Sequence, residues 1–505
     1  MRILIALIFW HVLVFDSFAS VDYEIVIRGG RVIDPETRLD AVLNVGISYG
    51  KIQVVTDQQI SGDREIAAEG LIVAPGFIDL HSHAMTPRGQ HYQLHDGVTT
   101  ALDLEAGAFP ASRVADSFAS GSRIHYGASL GYLWLRQWML SDYYQPSLIH
   151  TPEVAFGRDP GWAASGARSV FSQPLTLEQI EILRDLLRSE LLKSESIGIG
   201  LPIDYMKTGL SDHELKMVFE TAAVLDQLVV IHARRLKVGD TGGLDEVIQL
   251  AQATGAAVHF CHINSNALGA IETFLARVEA AHKAGIDISI EAYPYEAGST
   301  QIGAAAFKGD WQSLYGMSHN DLVWVQTGER LTPETFHEYQ TTEPGGYIVL
   351  FGNTMESVDR AIMDKRTIIA SDAMPQPTDQ AKVHPRGRGT FSRSLARYAR
   401  EKEVLSWIDL ISKMTLEPAR RLESMAPAFK SKGRIQVGAD ADIVVFDPEI
   451  VRDRASYEDP DQVSIGFEAI LVSGQPILHK GEEVPGVMPG QFISPNLTGA
   501  DKTPL

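Results

Sequence analysis

The feature that most constrains this chain is a set of short apolar runs that each end in an imidazole or a carboxylate. LVVIH at 228–232 and AVHFCH at 257–262 close on His232 and His262, 30 residues apart, about the length of one βα unit. TIIASD at 367–372 closes on Asp372, and APGFIDLHSH at 74–83 closes on His81 and His83. Side chains two apart on a strand point the same way, so His81 and His83 can grip one ion above a barrel mouth. An isolated HxH is ordinarily two histidines in a polar turn. Four histidines and an aspartate at the ends of several strands have few explanations other than a metal site.

Nine runs read as short buried strands: 72–80, 99–104, 126–130, 198–204, 228–231, 257–261, 286–291, 347–351 and 367–370. Between them lie helical patterns. Thr176 with Gln179, and Ser211 with Glu214, have capping-box spacing, the first ahead of Leu177, Ile180, Leu183, Leu187 and Leu191. The alternation predicts an α/β chain folded as a (β/α)8 TIM-type barrel, with one of the nine strands outside it. The two ends differ in texture. Residues 23–34 and 41–46, then 438–447 and 470–474, alternate apolar and polar between Gly-rich turns, which predicts one small β-sandwich built from both ends. The expected organisation is a signal peptide at 1–19, the sandwich at 20–73 and 434–493, and the barrel at 74–433.

Composition narrows the function. The chain has 505 residues with 44 Lys and Arg against 64 Asp and Glu, a net charge of -20 that excludes a nucleic-acid partner. One cysteine, Cys261, rules out an internal disulfide framework and a Cys-rich metal knuckle, leaving 16 histidines as the metal-capable set. Cys261 itself reads as core. Arg2, the apolar run 3–15 and the small residues Ser17 and Ala19 have the form of a cleavable secretory signal, too short for a stable membrane span. The mature protein is expected to be periplasmic or secreted.

His81, His83 and Asp372 can hold one divalent metal, and His232 and His262 a second that needs a shared anionic ligand. Glu105, closing TTALDLE at 99–105, has the charge and the position; a carbamylated Lys207 is the competitor. One or two ions are admitted, with zinc expected from the histidine-rich set. Asp372 is also the candidate catalytic acid-base.

These motifs resemble the amidohydrolase superfamily and, within it, the N-acyl-D-amino-acid deacylases. The resemblance runs from about residue 23 to 493. It is carried by APGFIDLHSH, GVTT at 97–100, IHAR at 231–234, CHIN at 261–264, EAYPYEAGST at 291–300, SDA at 371–373, HPRGRGTFSR at 384–393, KMTLEPARRL at 413–422 and GADADIVVFDP at 438–448. It implies metal-dependent hydrolysis of a small-molecule amide other than a peptide bond, most directly deacylation of an N-acyl-D-amino acid. It also implies that Tyr293 and Arg386, with Arg234 as a weaker candidate, bind the free carboxylate of the substrate. Three departures stand out. Glu105 falls one position before the family's metal-ligand cysteine, Asn264 replaces a lysine that helps hold the carboxylate, and the domain inserted after YPY is much shortened between 304 and 346. A cyclic-amide hydrolase or a β-aspartyl-type dipeptidase on the same metal core is the nearest alternative. A catalytically inactive oligomeric interaction protein is the remote one, and a homo-oligomer is compatible with either activity.

Overall fold

Eight parallel strands form the central sheet of the computed structural model, which describes residues 22–140 and 168–495. They are β1 (Phe77–Asp79), β2 (Val98–Ala108), β3 (His125–Gly131), β4 (Ile199–Pro202), β5 (Val229–His232), β6 (Val258–Phe260), β7 (Ile288–Ala292) and β8 (Thr367–Ile369), each paired with the next. The two ends of the sheet meet. The His83 N–H donates to Ala373 O at 2.8 Å, and buried Asp79 accepts the Ser371 N–H at 3.0 Å and the Ser371 hydroxyl at 2.5 Å. The expected α/β barrel is therefore present and nearly closed. Every residue of β2 is buried, as a strand covered on both faces requires. Val230 packs inside the barrel with Ile78, Leu102, Leu104 and Ile368. Its neighbours Val229 and Ile231 pack outward with the helices, so strand parity points His232 inward.

Of the nine runs, 347–351 is the one outside the barrel. Tyr347–Phe351 is the central strand of a three-stranded antiparallel sheet with Ala297–Gln301 and Leu322–Trp324. Trp311, Tyr315, Trp324, Phe336 and Ile348 give this insertion its own core. The run 72–80 also divides. Ile72–Pro75 joins the terminal sheet, and the chain turns at Gly76, where an added Cβ would lie 2.2 Å from the Thr99 hydroxyl.

The chain ends share one continuous nine-stranded sheet rather than two separate sheets. Asp22–Asp34 pairs with Leu39–Ser48, Ser61–Ala67 and Ile72–Pro75, and Ile443–Phe446 slots antiparallel beside Ile72–Pro75. Ile27, Val45, Ile66, Ile443 and Leu471, drawn from both ends, fill a common core. The segment read as a secretory signal lies outside the described residues, among which no helix is long and apolar enough to cross a membrane.

Helix starts follow the sequence with one exception. The Thr176 hydroxyl accepts the Gln179 N–H at 3.2 Å, and the Gln179 side chain accepts the Thr176 N–H at 2.9 Å. Ser211 caps its helix by accepting the Glu214 N–H, but the reciprocal bond is missing. The Glu214 carboxylate instead pairs with Arg136 and accepts the Tyr132 hydroxyl at 2.8 Å, with both charged partners fully buried.

Candidate metal centre and substrate cleft

Glu105 divides its two oxygens between two histidine pairs at the mouth of the barrel. Oε2 lies 2.6 Å from His81 Nε2 and 3.1 Å from His83 Nε2, while Oε1 lies 2.7 Å from His232 Nδ1. The two Nε2 atoms of His81 and His83 are 3.1 Å apart, and His262 Nε2 is 3.2 Å from His232 Nδ1. Asp372 Oδ1 stands 3.5 Å from His81 Nε2 and 3.7 Å from His83 Nε2. The donors thus form two sets, His81, His83, Glu105 and Asp372 in one and Glu105, His232 and His262 in the other. All six residues are buried. Buried imidazoles and carboxylates gathered this closely match the ligand chemistry of zinc and similar divalent ions.

Backbone irregularities aim three of these side chains. Pairing of β2 with β3 shifts register between Asp103 and Ala108. Within that bulge Gly107 has a φ of +61°, and an added Cβ there would meet Ser129 Oγ at 2.3 Å. Bulges beside active sites commonly re-aim a side chain, and here Glu105 is the one presented. Along β6 Phe260 packs outward with the helices and Cys261 packs inward, so strand parity alone would send His262 away from the site. A left-handed backbone at His262, with φ 31°, turns it into the mouth instead, and Asp372 has a φ of 52°. Such conformations are costly for non-glycine residues and persist where the surroundings enforce them.

Several buried groups that sequence reasoning did not single out orient the histidines. Glu291, at the end of β7, lies 2.5 Å from His81 Nδ1 and 2.9 Å from His259 Nε2, and Ser289 holds the other nitrogen of His259 at 2.7 Å. Asp103 lies 3.2 Å from His83 Nδ1. Fixing one ring nitrogen in this way leaves the other directed at a metal position. The signal was legible for Asp103, which shares a strand face with Glu105 two residues on. Cys261 is core, as read, yet its sulfur also belongs to a close group with His81 and Glu291.

The electrostatics are those of a crowded, dry site. Burial opposes charge on His81 and His83, but Glu291, Asp372 and Glu105 push His81 well above the usual imidazole value. Asp103 and Glu105 bring His83 to about 10. Burial is also the main influence on Glu105, yet His232 and His81 hold it well below the ordinary carboxylate range. Asp372 moves the other way, because desolvation outweighs the pull of Arg386 and His81. His262 is driven well down by burial and by His232.

The metal-type cluster floors a cleft of about 860 Å³, open solvent included, whose walls carry Tyr293, Arg386 and Arg235. Arg386 is buried, its Nη2 is 2.9 Å from Asp372 Oδ1, and its guanidinium lies over the Tyr293 ring at 4.7 Å. Its Nε and Nη1 have no hydrogen-bond partner. Arg234 does not reach the cleft, contrary to expectation. It pairs with Glu246 and donates to Leu210 O at 3.2 Å. The resemblance implied a substrate contact at Arg234, but β5 ends at His232, and it is Arg235 that lines the cleft. Lys207 faces Asp204 at 3.7 Å, whereas the Glu105 carboxylate is contacted by His81, His83 and His232. The Asn264 amide donates to Tyr293 O at 3.2 Å.

A nearly closed α/β barrel with buried imidazoles and carboxylates at the C-terminal ends of its strands has the architecture of metal-dependent hydrolases. Residues 253–478 match the model described as the amidohydrolase family. Along nearly its full length the chain is similar to N-acyl-D-amino-acid deacylases. It is 28% identical to N-acyl-D-glutamate deacylase of Alcaligenes xylosoxydans xylosoxydans, over 93% of this chain and 96% of the relative. To the D-aminoacylase of the same organism it is 25% identical, over 91% and 95% respectively. The crystal structure of N-acyl-D-glutamate deacylase from Bordetella bronchiseptica, complexed with zinc and a phosphonate mimic of the reaction tetrahedral intermediate, superposes with a TM-score of 0.74. That comparison covers 94% of this chain and 99% of the other at 23% identity, and it shows a shared fold.

Proposed function

We propose that this protein is a metal-dependent deacylase that hydrolyses the amide of an N-acyl-D-amino acid to a carboxylate and a free amine. The observation that carries the reading is Glu105, shared between two buried histidine pairs beside Asp372 on the floor of a cleft that also holds a buried arginine. His81, His83, Glu105 and Asp372 would hold one divalent ion and Glu105, His232 and His262 another, with zinc the ion that best suits the donor set. Bound there, such an ion supplies Lewis acidity that lowers the pKa of a water and polarises an acyl oxygen. Asp372 takes a proton from the attacking water and returns it to the leaving nitrogen, a role worth about 10²–10⁴ in rate. Its desolvated, raised carboxylate is suited to both halves of that transfer. Arg386, with two free donors, and Tyr293 hold the carboxylate next to the scissile nitrogen. The D configuration is drawn from the relatives that the chain matches along nearly its full length.

The test is metal analysis of the purified protein together with hydrolysis of a panel of N-acetyl and N-formyl D- and L-amino acids. Cleavage of D substrates by metal-containing protein supports the reading. Turnover confined to cyclic amides would replace it with the hydantoin- or dihydroorotate-type alternative. The run at 2–19 further supports export to the periplasm or medium, so the mature chain from its native host should begin at about Ser20. Recovery of the uncut chain from the cytoplasm would overturn that.

A further inference from the structure

The helix Pro87–His95 follows the strand-end pair His81 and His83 and carries two further histidines, His91 and His95, in the segment HYQLH. Residues four apart share one helix face, and these two rings stand 5.2 Å apart, centre to centre. Pro87 and Thr86, whose hydroxyl accepts the Gly89 N–H at 3.0 Å, fix the start of the helix. Glu483 reaches the two histidines from the edge strand of the terminal sheet. Its Oε1 contacts His91 Nδ1 and lies 3.3 Å from His95 Nε2, and the three residues offer donor atoms all within 4.8 Å of one another. Its other oxygen is taken by Arg123, whose backbone N–H donates to Gln90 Oε1 at 3.0 Å. None of the three residues lines the substrate cleft.

An ion pair would need only Arg123 and Glu483, and it leaves unexplained why two imidazoles converge on the oxygen that Arg123 does not hold. They are not cations drawn to a carboxylate. Burial, with Arg123 adding to it, lowers the pKa of both rings, His95 to about 4, so near neutral pH each can offer a lone pair. Tetrahedral zinc with bonds of about 2.0–2.2 Å sets its donors roughly 3.3–3.6 Å apart, a spacing that His95 and Glu483 already have. We propose that His91, His95 and Glu483 form a peripheral site for a divalent transition ion, zinc foremost, separate from the cleft and with its fourth position open to water. His91 is half-exposed, which gives the ion a way in. Arg123 holds one carboxylate oxygen and so aims the other at the ion. Its positive charge also weakens the site, so the cleft fills first. An ion there ties the first helix of the barrel to a residue 392 positions further on, and closing so long a loop stabilises the folded chain.

The experiment counts zinc. Purified wild type, His91→Ala and Glu483→Gln are dialysed against the same zinc buffer, and the zinc bound per chain is measured by elemental analysis. Wild type should hold one ion more than either variant, whatever number the cleft itself takes. Raising zinc beyond the level that fills the cleft should lift the urea midpoint of wild type further and leave that of the variants where it was. Glu483→Gln keeps the shape of the side chain, and circular dichroism spectra matching wild type show that a ligand, not the fold, has been removed. Equal zinc content in wild type and both variants overturns the site, and any excess zinc then bound is adventitious. A urea midpoint that rises equally in all three proteins overturns it as well.

Discussion

Arg386 Nη2 stands 2.9 Å from Asp372 Oδ1, so the guanidinium proposed to hold the substrate carboxylate lies directly against the side chain proposed as the acid-base. Replacing Arg386 with Met should lower kcat/KM for an N-acyl amino acid by roughly 10- to 150-fold, and for its carboxamide analogue far less. A pH profile gives a second readout. Desolvation raises the Asp372 pKa, and Arg386 is the first of the groups that oppose it. Removing the guanidinium therefore raises that pKa further, and the acidic limb of kcat/KM should move to higher pH. An unmoved limb, measured with the carboxamide, would separate the two residues functionally.

His232 and His262 belong to one donor set and His81 and His83 to the other. His232→Ala or His262→Ala should remove metal and activity while leaving the circular dichroism spectrum close to wild type. Elemental analysis of dialysed protein checks this, and wild-type metal content in either variant would contradict the assignment.

Glu105 and Lys207 make opposite predictions. Glu105→Gln keeps the shape but removes the shared charge, so both sets should weaken and metal content should fall. Lys207→Met should retain wild-type metal content, because Lys207 faces Asp204 rather than the cluster. Loss of metal in Lys207→Met alone would return the bridging role to a carbamylated lysine.

Glu291 acts through His81, whose Nδ1 it holds at 2.5 Å. Glu291→Gln should cost about 10- to 100-fold in metal affinity or activity, the usual effect of losing a carboxylate behind a ligand histidine. Titration with zinc under a competing chelator measures it, and an unchanged affinity would make Glu291 a packing residue only.

Away from the site, Glu214→Ala should destabilise the fold by about 3–5 kcal/mol, since it leaves the fully buried Arg136 with main-chain carbonyl acceptors but no counter-charge. The urea midpoint should fall without a change in metal content. A shift near zero would mean that water or a main-chain carbonyl replaces the carboxylate.

The positions of the strand-end histidines were legible because apolar runs and the 30-residue spacing survive in a single sequence. The direction in which each side chain points was legible only inside regular strands. His232 follows β5 parity, whereas His262 and Asp372 reach the mouth through left-handed backbone that no alternation rule contains. Arg234, the weaker candidate carried over by resemblance, lies beyond the end of β5 and pairs with Glu246 instead. The strand at 347–351 looks like a barrel strand because it too is buried on both faces, against the insertion core on one side and Val325 and Val383 on the other. Glu291 closes the run 286–291 and His259 lies inside AVHFCH, so both were in view; what the sequence does not display is that one carboxylate holds two imidazoles.

Ile443–Phe446 lies between Ile72–Pro75 and Phe467–Val472, so the amino-terminal sheet acquires its neighbours only from residues made last. β1 follows directly from that sheet and carries His81 and His83 at its end. The nascent chain consequently displays an unpaired edge at 72–75 throughout the synthesis of the whole barrel, the kind of edge that invites pairing with another chain. Holding the chain unfolded until its final segments are available avoids that exposure.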